Sequence, residues 1–209
     1  MAHPNVLIEG YKRFYKKHFV DDNRLYKELS TRGQSPKTLV IACSDSRVDP
    51  SIITDADPGD IFVVRNVANI VPPFQPEWGS YHGTSAALEF AIDGIGVENI
   101  VILGHSGCAG IRTLVDRNSE NRKPNSFIDS WISIVEDALN GSSSASGCKY
   151  ESCEQEAIRL SLRNLMTFPW IKEKVIANKL SLQGWYFSVN NGALSVCEPN
   201  QDNFKAVIV

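Results

Sequence analysis

Four short runs of apolar residues set the frame of this chain. They are Thr38-Leu-Val-Ile-Ala42, Asp60-Ile-Phe-Val-Val-Arg65, Asn99-Ile-Val-Ile-Leu-Gly104 and Trp185-Tyr-Phe-Ser-Val189. The first follows a Gly-Gln-Ser-Pro turn, the second Pro58-Gly59 and the fourth Gly184. The apolar residues run continuously rather than alternating with polar ones. That pattern predicts strands covered on both faces, as in a parallel sheet.

Helical periodicity fills the gaps. Thr84 to Asp93 carries Ala86, Ala87, Leu88, Phe90, Ala91 and Ile92. Further helices are predicted over 107–117, 125–140, 151–167 and 169–179. Residues 5–31 are amphipathic, free of Pro and rich in aromatics at their start. They read as an N-terminal helical arm, packed either on a partner subunit or on its own domain. Gly141-Ser-Ser-Ser-Ala-Ser-Gly147 is a polar loop, and Phe204 to Val209 is apolar but for Lys205, fit for an edge strand or a partner contact. Strands alternating with helices predict an α/β fold: a mostly parallel central β-sheet flanked by helices, with the arm in front. The expected organisation is one domain over 1–209, with an arm at 1–32 and a core at 33–209.

Composition narrows the class. Across 209 residues, 43% are hydrophobic and 22% charged, a soluble globular balance for a single core. The net charge of −3 offers no electrostatic reason to bind nucleic acid or an anionic membrane surface. No apolar stretch approaches membrane-spanning length. Residues 1–20 lack a continuous apolar secretory segment, so the expected compartment is the cytoplasm, or an organelle after loss of a presequence. The five cysteines, an odd number in a chain that needs no staples, read as metal ligands, buried thiols or catalytic groups.

Two motifs carry chemistry. Cys43-Ser-Asp45-Ser-Arg47 follows the first predicted strand, and Gly104-His105-Ser-Gly-Cys108-Ala-Gly110 follows the third. In a parallel α/β sheet, ligands collect beyond the carboxyl ends of the strands. Two thiolates and one imidazole suit zinc, and three protein ligands leave a fourth position for water, as in a catalytic site. Bound water then ionises near neutral pH. Asp45 can orient that hydroxide, or become the fourth ligand and close the site. A bidentate pair with Arg47 would hold the carboxylate off the metal. On the residues alone, a redox or persulfide cysteine pair is the rival.

The density of matches goes further. Gln34-Ser-Pro, Ala42-Cys-Ser-Asp-Ser-Arg-Val48, Pro58-Gly59, Val64-Arg-Asn-Val-Ala-Asn69, Gly83-Thr84, Ala87-Leu-Glu-Phe-Ala91 and Gly104-His-Ser-Gly-Cys108 resemble the beta-class carbonic anhydrases. The resemblance spans about Gly33 to Gly110, returns at Gly184-Trp185 and is weak over 115–180. It implies one Zn2+ per subunit on Cys43, His105 and Cys108, with Asp45 and Arg47 as the orienting dyad. It implies reversible hydration of carbon dioxide to bicarbonate by zinc-held hydroxide. Gln34 would hydrogen-bond substrate, and Phe62, Val67 and Phe90 would wall the pocket, Phe90 from a partner in a homodimer or dimer-based higher oligomer. One subtype of the family closes its zinc on the aspartate when bicarbonate binds at a second site. Of that site only Arg65 is present here; Val40 and Phe187 replace a Trp and a Tyr. The implied subtype is therefore the open, plant-like one. Ala109 departs from the family's usual Gly, and its methyl would narrow the site. Carbonyl sulfide or carbon disulfide hydrolysis on the same scaffold, and a non-catalytic zinc-stabilised subunit, are the alternatives. His82 is a candidate proton shuttle, and Cys148 with Cys153 a candidate second metal pair.

Overall fold

Leu39, Ile41, Ile100 and Ile102 are wholly buried on adjacent strands, and around them the sheet is built. The structure is a computed structural model describing residues 4–76, 82–116, 126–141, 149–199, 201 and 203–208. Its strands are β1 (Thr38–Cys43), β2 (Ile61–Asn66), β3 (Asn99–His105), β4 (Ser181–Phe187), β5 (Leu194–Cys197) and β6 (Lys205–Ala206). They form one sheet in the order β2-β1-β3-β4-β5-β6. The first four lie parallel, and β5 and β6 add antiparallel at one edge.

The helices are α1 (Pro4–Tyr15), α2 (Arg24–Arg32), α3 (Pro50–Thr54), α4 (Gly83–Glu89), α5 (Ala109–Val115), α6 (Phe127–Ile132), α7 (Ala138–Gly141), α8 (Lys149–Leu165) and α9 (Pro169–Ile176). This is the expected α/β architecture, with differences in detail. The arm is not one helix. After α1 a wider turn spans Lys16–Asp21, and Asp22 is extended (φ −147°, ψ 114°). Asp22 accepts the Arg24 backbone N–H at 3.1 Å and pairs with its guanidinium at 2.9 Å, so the break is held locally. The predicted 125–140 helix divides into α6, a tight turn at Ser133–Val135, and α7. Helix α3 was not predicted, although Asp49 followed by Pro50 is a start signal: the Asp49 carboxylate caps the Ser51 and Ile52 N–H groups. Strand β4 starts at Ser181, earlier than Trp185, and alternates buried with partly or fully exposed positions along its length, so the polar Ser181 and Gln183 interrupt the apolar run that would mark its start.

Helix α8 lies unusually close to the sheet. A Cβ at Gly104 would stand 2.6 Å from Ile158 Cδ1. One at Gly184 would stand 2.6 Å from Ile158 Cγ2 and 2.8 Å from Cys197 Sγ. Two side-chain-free positions on neighbouring strands thus admit one isoleucine from the helix above. The other face of the sheet is thinner, with Val40, Ala42, Val101 and Leu103 partly covered by Ile53, Trp185 and Phe187.

Candidate metal centre

Strands β1 and β3 are parallel neighbours, and Ala42 lies opposite Leu103. Cys43 and His105 therefore end their strands at the same edge of the sheet. The chain leaves His105 through Ser106 and Gly107, whose φ of +69° a side chain would strain, and Cys108 opens α5. The ligand atoms of Cys43, His105 and Cys108 all lie within 4.8 Å of one another, and all three residues are buried.

The spacing fits a metal. The two sulfurs are 3.9 Å apart. A tetrahedral ion with metal–sulfur bonds of about 2.3 Å would set them about 3.8 Å apart. The His105 Nδ1 lies 3.0 Å from the Ser106 carbonyl oxygen, which fixes its proton on that side. Its Nε2 is buried and has no hydrogen-bond partner among the described residues, so a basic lone pair is left facing the two sulfurs. Two soft thiolates and a neutral imidazole are a zinc-type donor set.

The sulfurs share a proton. The hydrogen bond with Cys108 pushes the Cys43 thiol well below its ordinary range, aided by His105 and opposed by burial. The same contact and burial push Cys108 up. Burial works against a charged His105, but the neighbouring Cys43 sulfur outweighs it and raises the imidazole.

Asp45 stands beside this triad, its Oδ2 3.9 Å from His105 Nε2. Its carboxylate is gripped three ways: by Arg47 Nε at 2.9 Å, Arg47 Nη2 at 2.7 Å and the Arg47 backbone N–H at 3.0 Å. These bonds hold its pKa far below the usual carboxylate range. Arg47 Nη2 also donates to the Gly107 carbonyl at 3.1 Å, joining the two ligand loops. Arg65, on β2, donates to the carbonyls of Cys43, Asp45 and Val48 at 3.0, 2.7 and 3.2 Å and meets Asp49 Oδ2 at 3.1 Å. Its guanidinium is committed to the loop that carries Cys43 and Asp45.

Gln34 is exposed on the segment between α2 and β1. Phe62 and Phe90 pack together within this chain, ring centroids 6.0 Å apart, with Phe90 54% exposed. Val67 follows β2 and lies against Gly110, two residues past Cys108. Ala109 is exposed, at the first position of α5. His82 lines a cleft of about 540 Å³ with Thr84, Trp131 and Asn164, none of them a ligand candidate. Cys148 lies outside the described residues, and Cys153 is fully buried, its thiol pushed up by burial to about 11.

Sequence reasoning missed Glu154 and Tyr186. Glu154 is only 5% exposed. It accepts the Cys108 backbone N–H at 2.9 Å and the Tyr186 hydroxyl at 2.8 Å. A signal was available: Glu154 falls on the apolar stripe of its helix with Ile158, Ser161 and Leu165, where a charge is out of place.

Comparisons with known proteins agree with this geometry. A family model described as carbonic anhydrase matches residues 38–194. A beta carbonic anhydrase 5, chloroplastic, of Arabidopsis thaliana is 42% identical over 185 residues, covering 86% of this chain. The chain spans 60% of that relative's length. Among solved structures, the beta-carbonic anhydrase CcaA superposes with a TM-score of 0.88 at 33% identity, covering 100% of this chain and 94% of that one. One of two tetrameric beta-carbonic anhydrases from Sordaria macrospora superposes at 0.71 with 27% identity, covering 95% and 94%.

Proposed function

This chain belongs to the carbonic anhydrase family, and on that premise we propose that it hydrates carbon dioxide reversibly to bicarbonate and a proton, with one zinc ion per subunit held by Cys43, His105 and Cys108. The observation that carries this is the buried Cys–His–Cys triad with a sulfur–sulfur separation of 3.9 Å. Bound zinc would supply hydroxide at neutral pH by lowering the pKa of a water to about 7.

The chain's own residues do the rest. With the metal in place, Asp45 would accept a hydrogen bond from the attacking oxygen and orient it toward substrate. Arg47 takes up both carboxylate oxygens and so keeps Asp45 in that role. Gln34 donates its amide to a substrate oxygen. Phe62 and Val67, with Phe90 supplied by the partner subunit, form an apolar wall that suits a linear molecule without net dipole and favours release of the anionic product.

Two observations support the open subtype. The Asp45 carboxylate is occupied by Arg47 on both oxygens. Arg65, which an inhibitory bicarbonate would need, is spent on three backbone carbonyls and Asp49. A homodimer or dimer-based assembly is supported by the arm, which leaves Leu7, Tyr11, Tyr15 and Phe19 exposed, and by the tetrameric relatives. Residues 33–209 are taken as one domain carrying that arm. Free thiol ligands call for a reducing compartment, the cytoplasm or an organelle interior. Among the described residues, no helix is long and apolar enough to cross a membrane.

Stopped-flow hydration at pH 7 and 8.5, on zinc-loaded wild type and Asp45→Asn, tests the proposal. Activity at both pH values, with a loss of roughly 10- to 100-fold in a variant that keeps its zinc, is the expected result. Activity at pH 8.5 alone would mean that Asp45 closes the site at neutral pH. No activity in zinc-loaded wild type would reject hydration.

A further inference from the structure

Glu154 is a buried carboxylate that no step of the hydration reaction uses, and its surroundings are specific. It projects from α8, whose first turns lie over the ends of β3 and β4. One oxygen accepts the backbone N–H of Cys108 at 2.9 Å; the other accepts the Tyr186 hydroxyl at 2.8 Å. The Gly107 N–H bears on it as well. A carboxylate that leaves water at such a position needs strong donors around it, and here they are two consecutive amides and a phenol.

Its reach depends on the glycines beneath the helix. Ile158 is one helical turn beyond Glu154 and shares its face. Ile158 sits directly over Gly104 and Gly184, where no Cβ fits. That close approach lets a side chain from α8 touch the turn after His105. The same turn is also held by Arg47, which donates to the Gly107 carbonyl.

We infer that Glu154 is a positioning residue for the metal: braced by Tyr186, it fixes the backbone of Cys108 so that the second sulfur meets the ion at tetrahedral distance from Cys43. The role rests on the metal reading above and adds a residue to it. Glu154 touches neither the ion nor the substrate. It sets how long the ion is retained and how regular its coordination is.

The experiment compares wild type, Glu154→Ala, Glu154→Gln and Leu165→Ala. The last empties a buried position on the same helix remote from the turn and controls for lost stability. Two quantities are read well below the melting temperature: the rate at which zinc passes to an excess of chelator, and the visible and thiolate charge-transfer spectrum of the cobalt-loaded protein. Glu154→Ala should release zinc roughly 10- to 100-fold faster and show altered cobalt bands. Glu154→Gln, which keeps an acceptor oxygen for the Cys108 N–H, should stay within a few-fold of wild type with unchanged bands, and Leu165→Ala should keep the wild-type spectrum. A folded Glu154→Ala with wild-type release and wild-type bands overturns the inference. So does a Leu165→Ala protein that changes both readouts as much. Should Glu154→Ala fail to fold, Tyr186→Phe decides: at least threefold faster release supports the brace, and wild-type release overturns it. A wild-type chain that takes up neither metal would fail earlier, at the metal reading itself.

Discussion

Cys43 and Cys108 face each other across 3.9 Å although they stand 65 positions apart in the chain. Neither is placed by a disulfide; both are free thiols. Their meeting follows from β1 and β3 being parallel neighbours whose carboxyl ends coincide. In the metal-free protein, that pair should keep a thiolate at pH 6, seen as ultraviolet thiolate absorbance that vanishes on acidification below pH 4 and is lost in Cys108→Ala. Cys153, with its thiol raised to about 11 by burial, should contribute nothing there. Equal absorbance in wild type and Cys108→Ala at pH 6 would count against the shared proton.

Arg47→Lys should behave as a drastic change. A lysine offers one point charge where Arg47 now engages both Asp45 oxygens and the Gly107 carbonyl. The released carboxylate is then free to swing to the metal. Hydration at pH 7 should fall roughly 10- to 100-fold, with less loss at pH 8.5, and cobalt spectra at pH 7 should show a changed ligand set. Wild-type kinetics in this variant would mean that the pairing has no role in holding Asp45.

Glu156 provides a pH test away from the site. Burial raises its pKa, but bonds from Arg163 at 2.6 Å and Arg159 at 2.8 Å outweigh burial, and the net shift is downward from 4.5. A depressed carboxyl adds stability that is fully present above the unfolded value and disappears as pH falls through the folded one. Glu156→Gln should therefore lower the melting temperature at pH 7, by about 2–4 °C, and the gap should shrink as pH falls below 4.5. A gap that widens on acidification would reverse the sign of the shift.

Much of this was legible in the sequence, and the reason is local. The ligand motifs stand immediately after apolar runs that form strands wherever they occur, so Cys43, His105 and Cys108 could be placed at one sheet edge from order alone. Arg65 was legible as a residue but not as a clamp, because its acceptors are backbone carbonyls, which leave no trace in side-chain identity. Glu154 lay hidden for a related reason. The weakly matching stretch 115–180 carries it, and its partner is an amide N–H that any residue at position 108 would offer. Strand β4 was shortened because Gln183 breaks the apolar run that marked the others.

Deleting residues 1–32 should expose whether the arm joins subunits. Phe14, Phe19 and Tyr26 contact one another, with centroids 4.9 to 6.0 Å apart, yet the turn and helix that follow α1 bury no residue. Light scattering should show a loss of mass per particle beyond the deletion itself. An unchanged subunit number would assign assembly to another surface.

Gly184→Ala should destabilise the chain by about 1–3 kcal/mol, the usual cost of overpacking, because its methyl would stand 2.6 Å from Ile158 Cγ2 and 2.8 Å from Cys197 Sγ. Adding Ile158→Val should recover part of that loss, a coupling that a double-mutant cycle on denaturant midpoints would read. Strict additivity would show that the contact is not shared.

The seat of Ile158 on two glycines also constrains how such a chain can change over generations. Positions 104, 158 and 184 cannot be altered independently: a larger residue at either glycine is tolerated only beside a smaller one at 158, and raising the helix withdraws Glu154 from the turn at the same stroke. Viable paths through sequence space must cross these sites together or leave all of them alone. The three therefore behave as a single heritable character, although the first and the last stand 80 positions apart.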